Sequence, residues 1–279
     1  ADQLKAAGGT ALSLSQGGFS SAELKQAGFS AEKLKDAGFS PNELRSAGFS
    51  AKVLELAGFS ALQLKGAGFM ARDLKDCGLK PSSVFTLQEL KKQGFTPKEL
   101  VQEGFALKEL KECCTVNELK RAGKDAKELL RVGITISQLR EGGFSALELK
   151  ESGATVVDLR EGGYVVSSLR SNGFSPVDLR NGGFTIKMLR DGGFGAEALR
   201  DSGFKIIELR EGGYTLTQLK NAKFLTKELK EGGFSADALR GAGVPASELL
   251  AAGFLVAELR ATGATATELR KAGCTVEDL

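Results

Sequence analysis

The sequence has 279 residues, with 38 Lys and Arg against 35 Asp and Glu, no His and a net charge of +3. That near-balance argues against a protein whose main task is neutralising nucleic-acid phosphate, and the missing His removes the commonest general base and zinc ligand. Hydrophobic residues reach 42%, enough for a packed core and too many for a wholly disordered chain, yet no apolar run approaches the length of a membrane span.

The chain opens as a series of ten-residue repeats. Taking Phe39 as position 1, one repeat reads Phe39, Ser40, Pro41, Asn42, Glu43, Leu44, Arg45, Ser46, Ala47, Gly48. Leu at position 6 recurs at Leu14, Leu24, Leu34, Leu44, Leu54, Leu64 and Leu74, and all 17 Phe and both Tyr, Tyr164 and Tyr214, fall at position 1. The phase slips first at residues 79–84, where "LKPSSV" is cut short before Phe85. It slips again at Cys113–Cys114, where Leu110 is followed by Leu119. From there the register runs to Leu279. The blocks 1–78, 79–118 and 119–279 read as one array, 1–279, with local kinks, since no Pro/Ser-rich linker accompanies either slip. Ala1 and Leu279 both fall in mid-repeat, so a segment of a longer array is expected.

Each repeat carries start and stop signals for a helix. Ser or Thr at position 2 with Glu three residues later is a capping box, as in Ser40/Glu43, Thr96/Glu99, Thr115/Glu118 and Ser145/Glu148. Pro41, Pro97 and Pro176 stand at the first helical position, where a missing N–H costs nothing. Gly at position 10 supplies the left-handed residue that ends a helix. The pattern predicts one helix of about seven or eight residues per repeat, joined to the next by a Gly-Phe link. So short a helix is marginal alone, and stacking must stabilise it through positions 3, 6 and often 9, as in Ala31, Leu34 and Ala37. The predicted fold is an all-α solenoid of two-turn helices.

Leu and Phe alternate every five residues, and in this spacing the chain resembles pentapeptide-repeat proteins. That resemblance implies a right-handed β-helix with a small inward residue two before each Leu or Phe. Ala37 before Phe39 fits. Asn42 before Leu44 does not, nor do Lys52, Arg72, Lys98, Lys108 and Lys127, because a core cannot hold a charge in every second pentapeptide. The β-helix stands as the alternative fold. The fuller description is a decapeptide-repeat array of the type S/T-A-x-E-L-K/R-x-A-G-F.

No catalytic constellation emerges, and no cofactor or metal is implied. Ser, Lys, Glu and Asp recur at fixed repeat positions where capping and solvation account for them. "DGGFGAEAL" from Asp191 is neither a dinucleotide fingerprint nor a phosphate loop. Cys77, Cys113, Cys114 and Cys274 form no CxxC pair; three of them stand where Ala, Gly or Phe stands in sister repeats, as small buried residues do, and a reducing compartment is expected. The adjacent Cys113 and Cys114 read as a packing substitution and not a redox device, since adjacent cysteines rarely close a relaxed disulfide.

Two features could carry function. One is the cationic row at position 7: Arg140, Lys150, Arg160, Arg170, Arg180, Arg190, Arg200 and Arg210. The row is either a track for a polyanion or decoration complementing helix dipoles and neighbouring carboxylates. The other is the irregular stretch where Cys114, Lys124 and Ile134 replace the ring, Cys113 and Cys114 replace the stop, Asp125 replaces the cap and Leu130 breaks the row. The expected role is a non-catalytic scaffold or adaptor making multivalent contacts with other proteins in a large assembly, inside the cell and most simply in the cytoplasm. The alternative is the polyanion track, on an acidic filament, nucleic acid or a membrane surface. Self-association is a third partner class. Nucleic acid is disfavoured because Phe is locked into one core position.

Overall fold

The computed structural model describes residues 2–275; Leu279, the last repeat leucine expected from the register, lies outside them. Among the described residues the chain forms 27 α-helices and one 3-10 helix, Pro81–Ser83, with no strand. The all-α reading holds and the β-helix alternative is overturned. The charges that a β-helix would have buried, such as Lys52 and Arg72, stand exposed at position 4 of helices.

Helices span positions 3 to 8, six residues, a little shorter than expected. Pro41–Ser46 shows why. Ser40 is extended at φ −72° and ψ 156°, its hydroxyl accepts from the Glu43 amide at 3.3 Å, and the Glu43 carboxylate accepts from the Ser40 amide at 2.7 Å. At the other end the Gly48 amide donates to the Arg45 carbonyl at 2.8 Å and the Phe49 amide reaches back to the Leu44 carbonyl at 3.0 Å. With Gly48 at φ +82° this is a Schellman turn. It begins at Ala47, so the helix stops one residue sooner than the spacing alone suggests. Where position 2 is Met70, Ala106, Lys205, Leu225 or Leu255, the hydroxyl half of the box is gone. The carboxylate half remains, on Asp73, Glu109, Glu208, Glu228 and Glu258.

The chain divides into two compact bodies, residues 1–125 and 126–279. Within each, a helix packs on its successor and on the helix two repeats on. In the first body Ala11–Gln16 meets Ala31–Asp36, and Ser21–Gln26 meets Pro41–Ser46. In the second Val166–Ser171 meets Ile186–Asp191, and Ala196–Asp201 meets Leu216–Asn221. Alternate helices therefore stack in two columns, and the position-6 leucines fill the space between them. Leu24, Leu34, Leu44 and Leu54 in the first body, and Leu139, Leu149, Leu159 and Leu169 in the second, have no exposed surface. Each such burial is worth about 1.5–3 kcal/mol.

A size match sets the spacing within a column. In the second body, position 3 of one helix lies on position 9 of the helix two repeats on. A Cβ added to Gly162 would lie 2.4 Å from Ile136 Cγ2, one on Gly182 2.2 Å from Val156 Cγ1, and one on Gly212 2.3 Å from Ile186 Cγ2. At Ala126, Ala146 and Pro176, where position 3 is small or cyclic, position 9 two repeats on is larger: Ser152, Asn172 and Ser202. In these pairs large meets Gly and small meets a bulkier residue, which keeps the contact within close-packed limits; Ala196 with Ala222 and Leu216 with Ala242 do not follow the match.

The slips are local. At the first, Lys80 precedes the single 3-10 turn Pro81–Ser83, and the Phe85 amide donates to the Pro81 carbonyl at 2.9 Å. Glu103, buried at position 9 of a later repeat, accepts from the Ser82 amide at 3.4 Å. Its own carbonyl accepts from the Ser82 hydroxyl at 2.8 Å, and Lys75 lies 3.6 Å from its carboxylate. At the second slip the helix Leu107–Leu110 ends after four residues, and the Cys114 amide closes the turn on the Leu110 carbonyl at 2.8 Å.

Lys223, at φ +61°, is the one described non-glycine residue in the left-handed region, where an L side chain costs about 1–2 kcal/mol. Lys223→Gly should stabilise the chain by about 1 kcal/mol in urea unfolding; no gain would mean that the lysine side chain offsets the strain. Gly162→Ala should destabilise by about 1–3 kcal/mol through overpacking. Adding Ile136→Ala should recover about 1 kcal/mol of that loss as a coupling energy. Strict additivity of the two substitutions would refute the size match.

Candidate interaction surface

The cationic row is built into the fold. Position-7 cations in both bodies reach along their column to the C-terminal end of the helix two repeats on, where the last carbonyls have no intrahelical donor. In the first body Lys25 Nζ donates to the Ala47 carbonyl at 2.9 Å and stands 4.7 Å from the centre of the Phe49 ring. Lys35 donates to the Ala57 and Gly58 carbonyls at 2.9 and 2.8 Å. Lys65 adds a carboxylate, Glu89, at 2.9 Å. The Thr86 amide and the Lys65 ammonium hold Glu89 down to about 2. Carbonyl, ring and, in places, carboxylate thus share one cation at the link between two later helices.

The eight residues from Arg140 to Arg210 follow the same rule in the second body. Arg140 Nη1 donates to the Gly163 carbonyl at 2.6 Å, Arg190 Nη1 to Gly212 at 2.8 Å, Arg210 Nη1 to Gly232 at 2.6 Å, and Arg200 Nη1 to Ala222. Lys150, Arg170 and Arg180 lie over the rings of Phe174, Phe194 and Phe204 at 4.8, 5.5 and 4.4 Å, and Arg180 stands 3.6 Å from Glu208. The Arg160 guanidinium lies over Gly183, where an added Cβ would be 1.8 Å from Nη1. Gly183 is thus favoured twice, for its left-handed backbone and for the cation above it. Consecutive members of the row fall on alternate columns, so the structure brings together Arg140, Arg160, Arg180 and Arg200 as one set and Lys150, Arg170, Arg190 and Arg210 as another.

The irregular residues are less alike than the sequence suggests. Cys114 is buried in the position-1 slot with Cys113 half-buried beside it, their sulfurs 3.5 Å apart. Lys124 is half-buried, and its amide closes the preceding turn on the Leu119 carbonyl at 3.1 Å. Asp125 is exposed before the helix Ala126–Arg131, and Leu130 is half-buried within it. Sequence reasoning missed the two tyrosines as polar anchors. The Tyr164 and Tyr214 hydroxyls donate to the carbonyls of Phe144 and Phe194, two repeats back, at 2.5 and 2.6 Å. Burial pushes the Tyr214 hydroxyl up to about 12. The substitution of Tyr for Phe was the available signal, but nothing in the sequence tells which carbonyl it meets.

Among the described residues no group of His, Cys, Asp or Glu could hold a metal ion, and no helix is long and apolar enough to cross a membrane. The shallow hollows that exist recur between stacked helices. One, of about 410 Å³, is lined by Arg160, Tyr164, Val165, Phe184, Met188 and Asp191. Arg210→Met should cost about 1–3 kcal/mol in urea unfolding by leaving the Gly232 carbonyl without its charged donor. Lys227→Met, at an exposed position outside the row, should stay within about 0.5 kcal/mol. Equal effects would show that the row is solvated charge and not part of the packing.

No curated protein matches the chain. A family model described as "Decapeptide repeat region" matches residues 1–71, 18–85, 43–113, 82–146, 113–186, 153–226 and 213–279. These seven windows overlap from the first residue to the last, across both phase slips, and the chain belongs to the decapeptide-repeat family.

Proposed function

We propose that this chain is a non-catalytic scaffold or adaptor that binds other proteins through many weak contacts along its stacked helices, within a large intracellular assembly. The observation that carries this reading is the contrast between inside and outside. Position 6 is leucine in repeat after repeat and fully buried, whereas exposed position 4 runs Ala22, Glu32, Asn42, Lys52, Leu62, Arg72. A repeated interior holds a varied exterior in register, which suits extended protein recognition and gives no concentration of chemistry at one place.

Exposed apolar side chains support the same reading. Leu56, Leu62 and Met70 in the first body are 75, 68 and 56% exposed, as are Leu225 and Leu255 in the second at 68 and 66%. Contact with another protein would remove these side chains from water, which contact with a phosphate would not do. The polyanion track has less support, because a cation that donates to a carbonyl and covers a ring must give up both to meet a phosphate.

The test is retention of ligands by the immobilised full chain through rising salt, with heparin and anionic vesicles as polyanion probes. A small set of proteins held in fixed proportion up to about 1 M salt, where exposed charges are screened within ~3 Å, is the expected result. Heparin and vesicle binding that is lost over the same salt steps as every lysate ligand would overturn the adaptor in favour of the track.

A further inference from the structure

The second phase slip does more than shorten a helix. In a regular repeat, position 9 and the following position 1 are separated by the left-handed glycine, as Ala47 and Phe49 are by Gly48 at φ +82°. That residue sends the two side chains apart. The repeat Phe105–Cys113 has no left-handed residue, and its turn closes instead through the Cys113 and Cys114 amides, both on the Leu110 carbonyl, at 3.1 and 2.8 Å. Positions 9 and 1 become neighbours in the chain, and both are cysteine. Their sulfurs lie 3.5 Å apart.

The two thiols differ. Cys113 is half-buried, while Cys114 is 7% exposed in the slot that an aromatic ring fills elsewhere. Burial, then the adjoining Cys113 thiol, push Cys114 up to about 11. One thiol is therefore open to a reagent and its neighbour is held back, within reach. Cys77 and Cys274 are half-buried free thiols at positions 9 and 1 of other repeats, so the same chain contains its own single-thiol controls.

We propose that Cys113 and Cys114 form a redox modification site that hydrogen peroxide closes to a vicinal disulfide. Cys113 attacks the peroxide oxygen, its sulfur is oxidised to the sulfenic acid, and the peroxide is reduced, with one water released. The Cys114 sulfur then attacks the sulfenic sulfur; the S–S bond forms, the S–O bond breaks, and hydroxide leaves with the Cys114 proton as a second water. Adjacent α-carbons are about 3.8 Å apart across a trans peptide, short of the ~4.4–6.8 Å of relaxed bridges. The bridge is consequently strained and easily reduced, as befits a reversible mark and not a structural staple. Closing it draws the Cys114 sulfur from its slot toward Cys113, so oxidation loosens the packing of the turn at residues 110–115.

The test exposes the reduced full chain to hydrogen peroxide and follows each thiol by differential alkylation and mass spectrometry. Alkylation of Cys113 and Cys114 should fall together, about tenfold sooner than at Cys77 or Cys274, with loss of two hydrogens from their shared peptide and recovery in dithiothreitol. Cys114→Ser should leave a Cys113 sulfenic acid that dimedone traps, and Cys113→Ser should leave Cys114 alkylatable only on unfolding, as before oxidation. The proposal is overturned if Cys113 oxidises no sooner than Cys77 and Cys274. It is equally overturned if Cys113 proceeds to sulfinic acid in the unsubstituted chain while Cys114 stays a thiol.

Discussion

A helix of six residues leaves most of its backbone groups without an intrahelical partner, and everything in this structure follows from satisfying them. Four amides at the start and four carbonyls at the end exceed what the helix itself can pair. The start is handled within the repeat, by the hydroxyl and carboxylate of the capping box. The end is handled in two stages. The Schellman turn takes up two carbonyls locally, and a cation from two repeats back takes up another. The second stage joins repeats to one another, so local satisfaction and long-range assembly are the same event. No single repeat can complete its own ends, which is why the array exists only as an array.

The position-7 cation is the clearest case of a residue with two readings. As a charge it belongs with polyanion binders. As a donor it closes a helix end, covers an aromatic ring and in places meets a carboxylate, as Lys65 does with the Val84 carbonyl at 2.8 Å, the Phe85 ring at 4.6 Å and Glu89 at 2.9 Å. A hydrogen bond from a charged group is worth about 1.5–3 kcal/mol, and a cation over a ring about 0.5–1 kcal/mol where partly exposed. These contacts compete directly with any external anion. The exposed side chains that differ most from repeat to repeat stand instead at positions 4 and 8.

The two slips solve the same end problem by different means. At Pro81–Ser83 the repeat keeps one turn, and a buried carboxylate, Glu103, supplies the missing acceptor for the Ser82 amide. At Cys113–Cys114 the stop glycine is absent, and the turn tightens to a bond between the Cys114 amide and the Leu110 carbonyl. The position-6 leucines on either side stay fully buried, Leu74 and Leu90 at the first slip and Leu110 and Leu119 at the second. The core register thus survives a change in chain length because the turn absorbs it.

Most of the local structure was legible in the sequence. The capping boxes at Ser40, Thr96, Thr115 and Ser145, the prolines at the first helical position, the glycine stops and the buried leucine period all depend on residues within ten positions of one another, where chain connectivity keeps them close. The helix ends themselves shifted by a residue because the Schellman turn starts before the glycine. What only the tertiary structure decided is which repeat answers which. The sequence places Arg190 at the end of its own helix; folding carries its guanidinium to the Gly212 carbonyl. Ile136 and Gly162, or Tyr164 and the Phe144 carbonyl, likewise meet because alternate helices stack. A ten-residue period states that every repeat is equivalent, and equivalence leaves open whether a side chain meets the next repeat or the one after. That choice is made by packing, because only a two-repeat step places the leucines between two columns and brings each cation to an unpaired helix end.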